Sequence, residues 1–451
     1  MHERPRLELI EGGARPRPAR GPALELMALG TGVTLAAVLL ARLPSWRAEL
    51  GTFQGLFAAA FAFYAIAVWR STRDAPPIAP SVVLVVALAA RVALLPVTPS
   101  LSNAIYRDVW EGRVLAAGHD PYRLAPLAPE LAPLRDQTVF PRVDHPELAA
   151  ISPPLALAGY ALVSKLSPTL WAMKVWILLH DLALVWLLVF WVRGRGQDAT
   201  AAIAYAWCPL VLTEFAGSGH PDPVAMVWLI AALMYAVRRP TFSAVALSIA
   251  ALTQLLPIVA LPFVWRSWTW RARILALTML AVGLGVYLFE TLGSSAGLAA
   301  ASRGSTHNAL LFAYLQAWLG DPLRARILAA ALLAMLVISL TWRRIAAPEA
   351  TRATLRGASI VTPVAHPWLF TWAMLLEPLG RSPGWVVLSL TCMLAYGLLP
   401  PRGAGDFELS LGGIWVEYAI PLIVAGTFAL ARRRRERTTP RRDRSTPRGR
   451  R

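Results

Sequence analysis

Long uninterrupted apolar runs recur along this chain, and they exclude most soluble folds. They lie near 24–44, 52–70, 80–97, 170–192, 199–216, 221–237, 271–290, 323–341, 384–400 and 412–431. About 18 or more apolar residues are enough for a helix to cross a hydrocarbon core of about 30 Å. Shorter or broken runs lie near 151–166, 242–264, 307–319 and 367–379, and 346–364 is weakened by Glu349, Arg352 and Arg356. Of the residues, 56% are hydrophobic and only 16% charged, well below the charged share of a soluble domain. The expected fold is all-α: a polytopic membrane helical bundle of about 12 to 13 transmembrane helices.

The net charge of +18 does not point to nucleic acid. Much of the excess sits at the ends, from Arg4 to Arg20 and from Arg432 to Arg451. Cytoplasmic flanks of membrane helices collect Lys and Arg, which also attract anionic lipid. This predicts three regions: a basic cytoplasmic segment over 1–22, a transmembrane domain over 23–431, and a disordered cytoplasmic tail over 432–451. Both termini are expected inside, in a multi-pass inner (plasma) membrane protein. The first apolar run is long enough to remain as an anchor. Cys208 and Cys392 lie in separate apolar runs without metal-type spacing and read as buried thiols.

The same rule places residues 98–150 outside. Run 242–264 has arginines at both ends, with Pro257 and Pro262 inside it. It reads either as a broken re-entrant hairpin or as an ordinary crossing. The outer loop is rich in proline, and loops so long usually carry function. Its start, Asn103 to Leu115, predicts a short amphipathic helix with Ile105, Val109 and Leu115 near one face. Tyr106 and Trp110 suit an interfacial layer. Six prolines between 121 and 146 predict an irregular remainder.

The candidates for chemistry are the few polar residues near this loop or inside the bundle. Asp108 and Glu111 share a helix face, and a carboxylate there can accept the proton of an acceptor hydroxyl. The competing reading is a solvated face with ion pairs to Arg107 and Arg113. Asp144-His145-Pro146-Glu147 reads as an acid/base segment or as a hydrogen-bonded loop, with no second ligand cluster for a metal. Glu214, His220 and Asp222 sit at or near membrane depth, where ionisable groups are costly and usually face a cavity. The plainer alternative is a helix start carrying Asp222 in its first turn. His366, Trp368 and Trp372 fall at an outer interface, where an aromatic belt is the plain reading of the two tryptophans. Asp181 lies inside a run and needs a partner: His180, Lys174 or a group on another helix. Arg303 and His307 lie in a second outer loop, where a guanidinium can match phosphate geometry.

The loop pattern IYRDVWEGRVLAAGHDPYRLAP, LAPLRD, PRVDHPE and SPPLA resembles the first outer loop of bacterial polyprenyl-phosphate-dependent glycosyltransferases of the GT-C fold, closest to the mannosyltransferase-like branch. AWCPLVLTEFAGSGHPDPVAM, ALTQLLPIVALPF and HPWLFTWAMLLEP extend the resemblance over most of 80–430. It implies transfer of a sugar, here mannose, from a polyprenyl phosphate to a lipid or glycan acceptor at the outer face. It implies an acidic residue in the loop as base and no cofactor beyond the lipid-linked donor. Asp108 with Glu111 would then be catalytic. Asn103, Tyr106, Arg107, Asp144, His145, Glu214, His220, Asp222, Gln254, His366 and Trp368 would line the substrate site, with Arg303 or His307 at the phosphate. The chain departs from the pattern where relatives carry aspartates and it has Asn103 and Ala104. Ser152 replaces a tyrosine and Gln254 a lysine. These departures leave a second reading open: a non-catalytic relative that binds lipid-linked sugar or partners an active transferase. A transporter or flippase is a third, disfavoured by the lack of an internal repeat.

Overall fold

The computed structural model describes residues 20–72, 78–293, 308–398 and 411–438. Among these the chain is all helical, with no strand. Six helices are long and apolar enough to cross a membrane. They are α1 (Arg20–Ala41), α2 (Leu50–Ser71), α6 (Leu170–Gly194), α12 (Trp270–Gly293), α14 (Pro322–Trp342) and α17 (Leu411–Thr438). Large apolar side chains such as Trp186, Phe190, Phe289 and Ile338 stay exposed on them, as a lipid-facing surface requires. The protein is a membrane protein.

Shorter apolar helices lie between these spans: α3 (Pro80–Leu94), α5 (Pro154–Leu166), α9 (Asp222–Tyr235), α10 (Pro240–Thr253), α11 (Leu256–Trp265), α13 (Leu310–Leu319) and α16 (Pro383–Thr391). The loop helix is α4 (Ala104–Ala116), and α15 (Ala347–Val361) carries the weak run. Run 242–264 is broken, because α10 stops at Thr253 and Pro257 and Pro262 each open a new short turn. Run 199–216, read as one continuous segment, is broken as well. It forms α7 (Ala199–Ala206) and α8 (Pro209–Gly217), bent by 52°. Pro209 has no N–H to continue the helix. At the other end, α17 runs on to Thr438, past the expected start of the tail at 432. The expected N-terminal segment up to residue 19 and the tail from 439 lie outside the described residues.

A break inside an apolar bundle exposes carbonyls that need donors, and the side chains of Tyr64 and Arg91 provide them. Tyr64 donates to Ala204 O at 2.7 Å. Trp207 at the break donates to Val83 O on α3 at 3.1 Å. Arg91 of α3 donates through Nη1 to Ala206 O at 2.8 Å and to Ala87 O at 3.1 Å. Its Nε and Nη2 grip Asp181 of α6 at 2.7 and 3.3 Å. Tyr205 completes the carboxylate at 3.0 Å. Both members of the ion pair are fully buried. Asp181 therefore pairs with another helix rather than with His180 or Lys174. His180 instead meets its own Trp176 carbonyl, and Lys174 donates to Val97 O beyond the end of α3 at 2.6 Å.

Removing one partner of a buried ion pair strands the other charge, at about 3–5 kcal/mol. Asp181→Leu alone should sharply lower the thermal unfolding midpoint in detergent. Adding Arg91→Met should recover much of the loss. A single variant as stable as the parent would mean that the pair does not hold these helices.

Candidate functional site

Tyr106 and Trp110 of helix α4 do not face outward as interfacial aromatics would. Both rings are buried. Trp110 packs on Phe140 with centroids 5.1 Å apart, and the Tyr106 hydroxyl donates to Pro99 O at 3.2 Å. The partners are α5 and the folded-back loop. Gly112 admits α5 so closely that a Cβ there would stand 2.5 Å from Tyr160 O. Two short 3-10 segments, Pro129–Leu134 and Phe140–Arg142, are the helical structure of residues 120–147.

Arg107 fastens this loop. A guanidinium has five N–H donors in a fixed fork, and here each finds an acceptor. Nε meets Glu111 Oε1 at 2.9 Å. Nη1 donates to Asp144 O and His145 O at 2.8 and 3.1 Å. Nη2 donates to Leu148 O and Ala149 O at 2.8 and 2.9 Å. Asn103, just before α4, adds a bond from Nδ2 to Asp144 Oδ1 at 2.9 Å. Asp136 holds the next stretch: Arg113 donates to it at 2.5 Å, and the N–H groups of Val139 and Phe140 point to it. Although partial burial opposes them, these bonds hold Asp136 well below the usual carboxylate range.

Asp108 and Glu111 do share a face, but it is turned inward. They are 8% and 2% exposed. Glu111 is satisfied by Arg107 and by the Ser152 hydroxyl at 2.8 Å. Its carboxyl is raised by burial, against the pull of Arg107 and Ser152. Asp108 lies beside the Tyr160 hydroxyl, while its buried Oδ2 has no hydrogen-bond partner among the described residues. Burial, then the charges of Glu111 and Asp222, raise Asp108 well above the usual range, while Arg107 and Tyr160 pull the other way. The solvated-face reading fails here, since only the Arg107–Glu111 pair survives from it.

The charge of Asp222 acts on Asp108 because α4 sits on the α8–α9 turn. Gly219 has φ +79, and a Cβ there would stand 2.4 Å from Ile105 Cδ1. A Cβ on Gly217 would meet Trp46 at 2.2 Å. The turn brings together Glu214, His220 and Asp222, all buried. The Tyr396 hydroxyl lies 2.9 and 3.0 Å from the two Glu214 oxygens. Trp372 Nε1 donates to Asp222 Oδ1 at 2.7 Å, so this tryptophan is inside the bundle and not in an aromatic belt. His220 Nε2 stands 3.5 Å from Glu214 Oε2 without a hydrogen bond. His220 and His366 both stack on Trp368, at 4.2 and 4.1 Å between ring centroids.

The site therefore joins Asp108, Glu111, Glu214, His220, Asp222, His366 and Trp368. His145 is not among them. Its side chain is 73% exposed and 3.3 Å from Glu147, at a φ of +51. Asn103, Tyr106, Arg107 and Asp144 serve the loop's internal bonding. Gln254 caps the end of α10, half-buried. Arg303 and His307 lie outside the described residues. Sequence reasoning passed over Tyr160 and Tyr396 and gave Trp372 to an aromatic belt, because their hydroxyls and indole are indistinguishable from packing aromatics in an apolar run. Among the described residues no group of three or more His, Cys, Asp or Glu is arranged to hold a metal ion.

A family model described as alpha-(1->6)-mannopyranosyltransferase, N-terminal domain (MptA_B family) matches residues 23–271. The chain belongs to this family. The match spans α1 to the start of α12, with the loop, Asp108, Glu111, Glu214, His220 and Asp222 inside it. It bears out the mannosyltransferase-like resemblance carried by the loop motif. No curated protein and no solved structure matches the chain.

Lysine in place of Arg107 keeps the charge and loses the fork. Arg107→Lys should speed hydrogen exchange at the amides of 144–149 by about tenfold or more, with the spans unchanged. Equal exchange in both proteins would show that the loop is held elsewhere.

Proposed function

We propose that the protein transfers mannose from a polyprenyl-phosphate donor to a lipid or glycan acceptor at the extracytoplasmic face of the plasma membrane. The observation that carries this reading is Asp108, a buried carboxylate with one unpartnered oxygen, set between the outer loop and the α8–α9 turn. An acceptor hydroxyl donating to Oδ2 would complete that oxygen. Its proton passes to Asp108 as the hydroxyl oxygen attacks the anomeric carbon, and the phosphate departs with the bonding electrons. Glu111, already bonded to Arg107 and Ser152, holds the loop side of the site. Asp222, Glu214 and His220 line the bundle side.

A cavity of about 360 Å3 opens at the C-terminal end of α4, lined by Leu115, His119, Tyr122, Pro154 and Leu157. Tyr122 borders it, donating to Ser152 O at 2.7 Å, next to the hydroxyl that binds Glu111. The topology that goes with this function has both termini cytoplasmic. With α10 and α11 turning back as a re-entrant pair, the six long spans, the bent α7–α8 pair and the other five shorter apolar helices would make 12 crossings, the even number that this topology requires. No cofactor is needed beyond the lipid-linked donor.

The test is release of polyprenyl phosphate from polyprenyl-phosphate-mannose by purified protein, with host membrane lipid extract as acceptor. Asp108→Asn should lower turnover by about 10²–10⁴-fold. Donor binding that persists in the parent without any turnover would instead support a non-catalytic relative, the reading favoured by Asn103 and Ala104.

The pH profile gives a second check. Asp108 accepts a proton only when ionised, and its carboxyl is raised by burial. The rate should therefore climb with pH through a midpoint above about 4, the ordinary aspartate value. A rate already level at that pH would exclude Asp108 as the base.

A further inference from the structure

Helix α15 carries Glu349, Arg352 and Arg356 at spacings of three and four, so they stand along one face. These are the charges that weaken run 346–364, and the site around Asp108 uses none of them. The face meets the connection from Glu377 to Ser382 and the start of α16. Arg356 pairs with Glu377 and donates to Ser382 Oγ at 2.8 Å. Its guanidinium lies over the Trp385 ring, 5.1 Å from the centroid. Ser382 N donates to the other Glu377 oxygen at 2.7 Å, so both oxygens of Glu377 are engaged.

Arg352 is left over. It packs so closely on Gly380 that a Cβ there would overlap its guanidinium. Its Nη1 is buried without a hydrogen-bond partner, and Arg352 forms no ion pair among the described residues. The carboxylates of the neighbouring segments are committed elsewhere. Glu349 pairs with Arg195 at 3.1 Å. Asp198 accepts from Thr200 N at 2.8 Å, and its charge acts on Arg381. Arg381 in turn donates to Ser71 O at 2.5 Å. Arg356 also keeps its Nε buried and unbonded, and the charge of Arg352 acts against it. A half-buried cation beside a second one, with a donor sealed from water, is costly unless an anion answers it.

The location indicates the kind of anion. Ser71 ends α2 and Arg195 follows the end of α6. Helix α15 comes after the end of α14, where Trp342 is 86% exposed and Arg343 and Arg344 follow. Arginines collect at helix ends on the cytoplasmic side of a membrane, and tryptophans mark its interface layer. That leaflet carries anionic lipids, and basic pockets between helices take their headgroups. We propose that α15 and residues 377–382 hold the phosphodiester of an anionic phospholipid, with Arg352 and Arg356 donating to its oxygens. Guanidinium forks match phosphate geometry, and such charge-assisted bonds are about twice as strong as neutral ones. Glu349 Oε2, also buried without a partner, would accept from a hydroxyl of the same headgroup. The site shares no residue with the surroundings of Asp108 and stands whether or not the protein transfers mannose.

The test uses full-length protein stripped of lipid in a neutral, phosphate-free detergent, with the thermal unfolding midpoint as readout. Dioleoyl phosphatidylglycerol, dioleoyl phosphatidylcholine and inorganic phosphate are titrated in turn. Phosphatidylglycerol should raise the parent's midpoint in a saturable way, at concentrations where the other two leave it unchanged. Arg352→Gln should weaken that response about tenfold. Without lipid it should unfold no lower than the parent, because it removes a charge that has no protein partner. Gly380→Ala is the independent variant: it keeps every charge but displaces the guanidinium, and should weaken the response as well. The proposal is overturned if phosphatidylglycerol leaves the parent unchanged, if phosphatidylcholine or inorganic phosphate stabilises it equally, or if Arg352→Gln responds as the parent does. An Arg352→Gln protein that melts well below the parent before lipid is added would overturn it too, and give the arginine to the fold.

Discussion

A guanidinium and a carboxylate sealed from water must satisfy one another completely, and the Arg91–Asp181 pair does so at a crossing of three helices. Arg91 comes from α3, Asp181 from α6, and both reach the backbone and Tyr205 of α7. The break at Pro209 depends on this. Without a donor for Ala206 O, a bend at that depth would leave a bare carbonyl in an apolar bundle. The bend in turn sets the direction of α8 and the place of the turn that follows it. Glu214, His220 and Asp222 all ride on that turn, so the acidic site inherits its position from a contact that takes no part in it.

The proline-rich loop reaches the same turn from the other side. Arg107 gathers the backbone of 144–149 onto α4, and α4 presses Ile105 against Gly219. One glycine conformation thus joins two sets of carboxylates that lie far apart in sequence. The proximity raises the proton affinity of Asp108, because two like charges and a buried setting act together. The same neighbours that would burden a purely structural residue would suit the proton-accepting role proposed for Asp108.

Much of this was legible beforehand, because membrane burial makes each polar residue conspicuous. Asp108, Glu111, Glu214, His220 and Asp222 stand out against apolar surroundings, and the loop motif named the family. Partners were harder to read. Asp181 had two basic neighbours on its own helix and chose neither, since Arg91 sits on another helix and sequence spacing says nothing of that approach. Trp372 and Tyr396 look like ordinary span aromatics until their polar tips meet Asp222 and Glu214. His145 misled for the opposite reason: its residue type signals chemistry, while its left-handed backbone turns it outward and lends its carbonyl to Arg107. The bend at Pro209 was hidden because apolar residues continue on both sides of it and the run reads as one span.

The Arg107 clasp has one more consequence. On the loop side, Arg107 accepts no help from side chains at 144–149; it reads only their carbonyls. Apart from Asp144, whose carboxylate accepts from Asn103 at 2.9 Å, those side chains are therefore free of the task of holding the loop in place. Natural drift can rewrite the outward surface of this segment, residue by residue, without loosening the hinge that keeps Asp108 enclosed. A scaffold built this way separates two kinds of heredity, one for the chemistry and one for whatever the loop's outer face must meet.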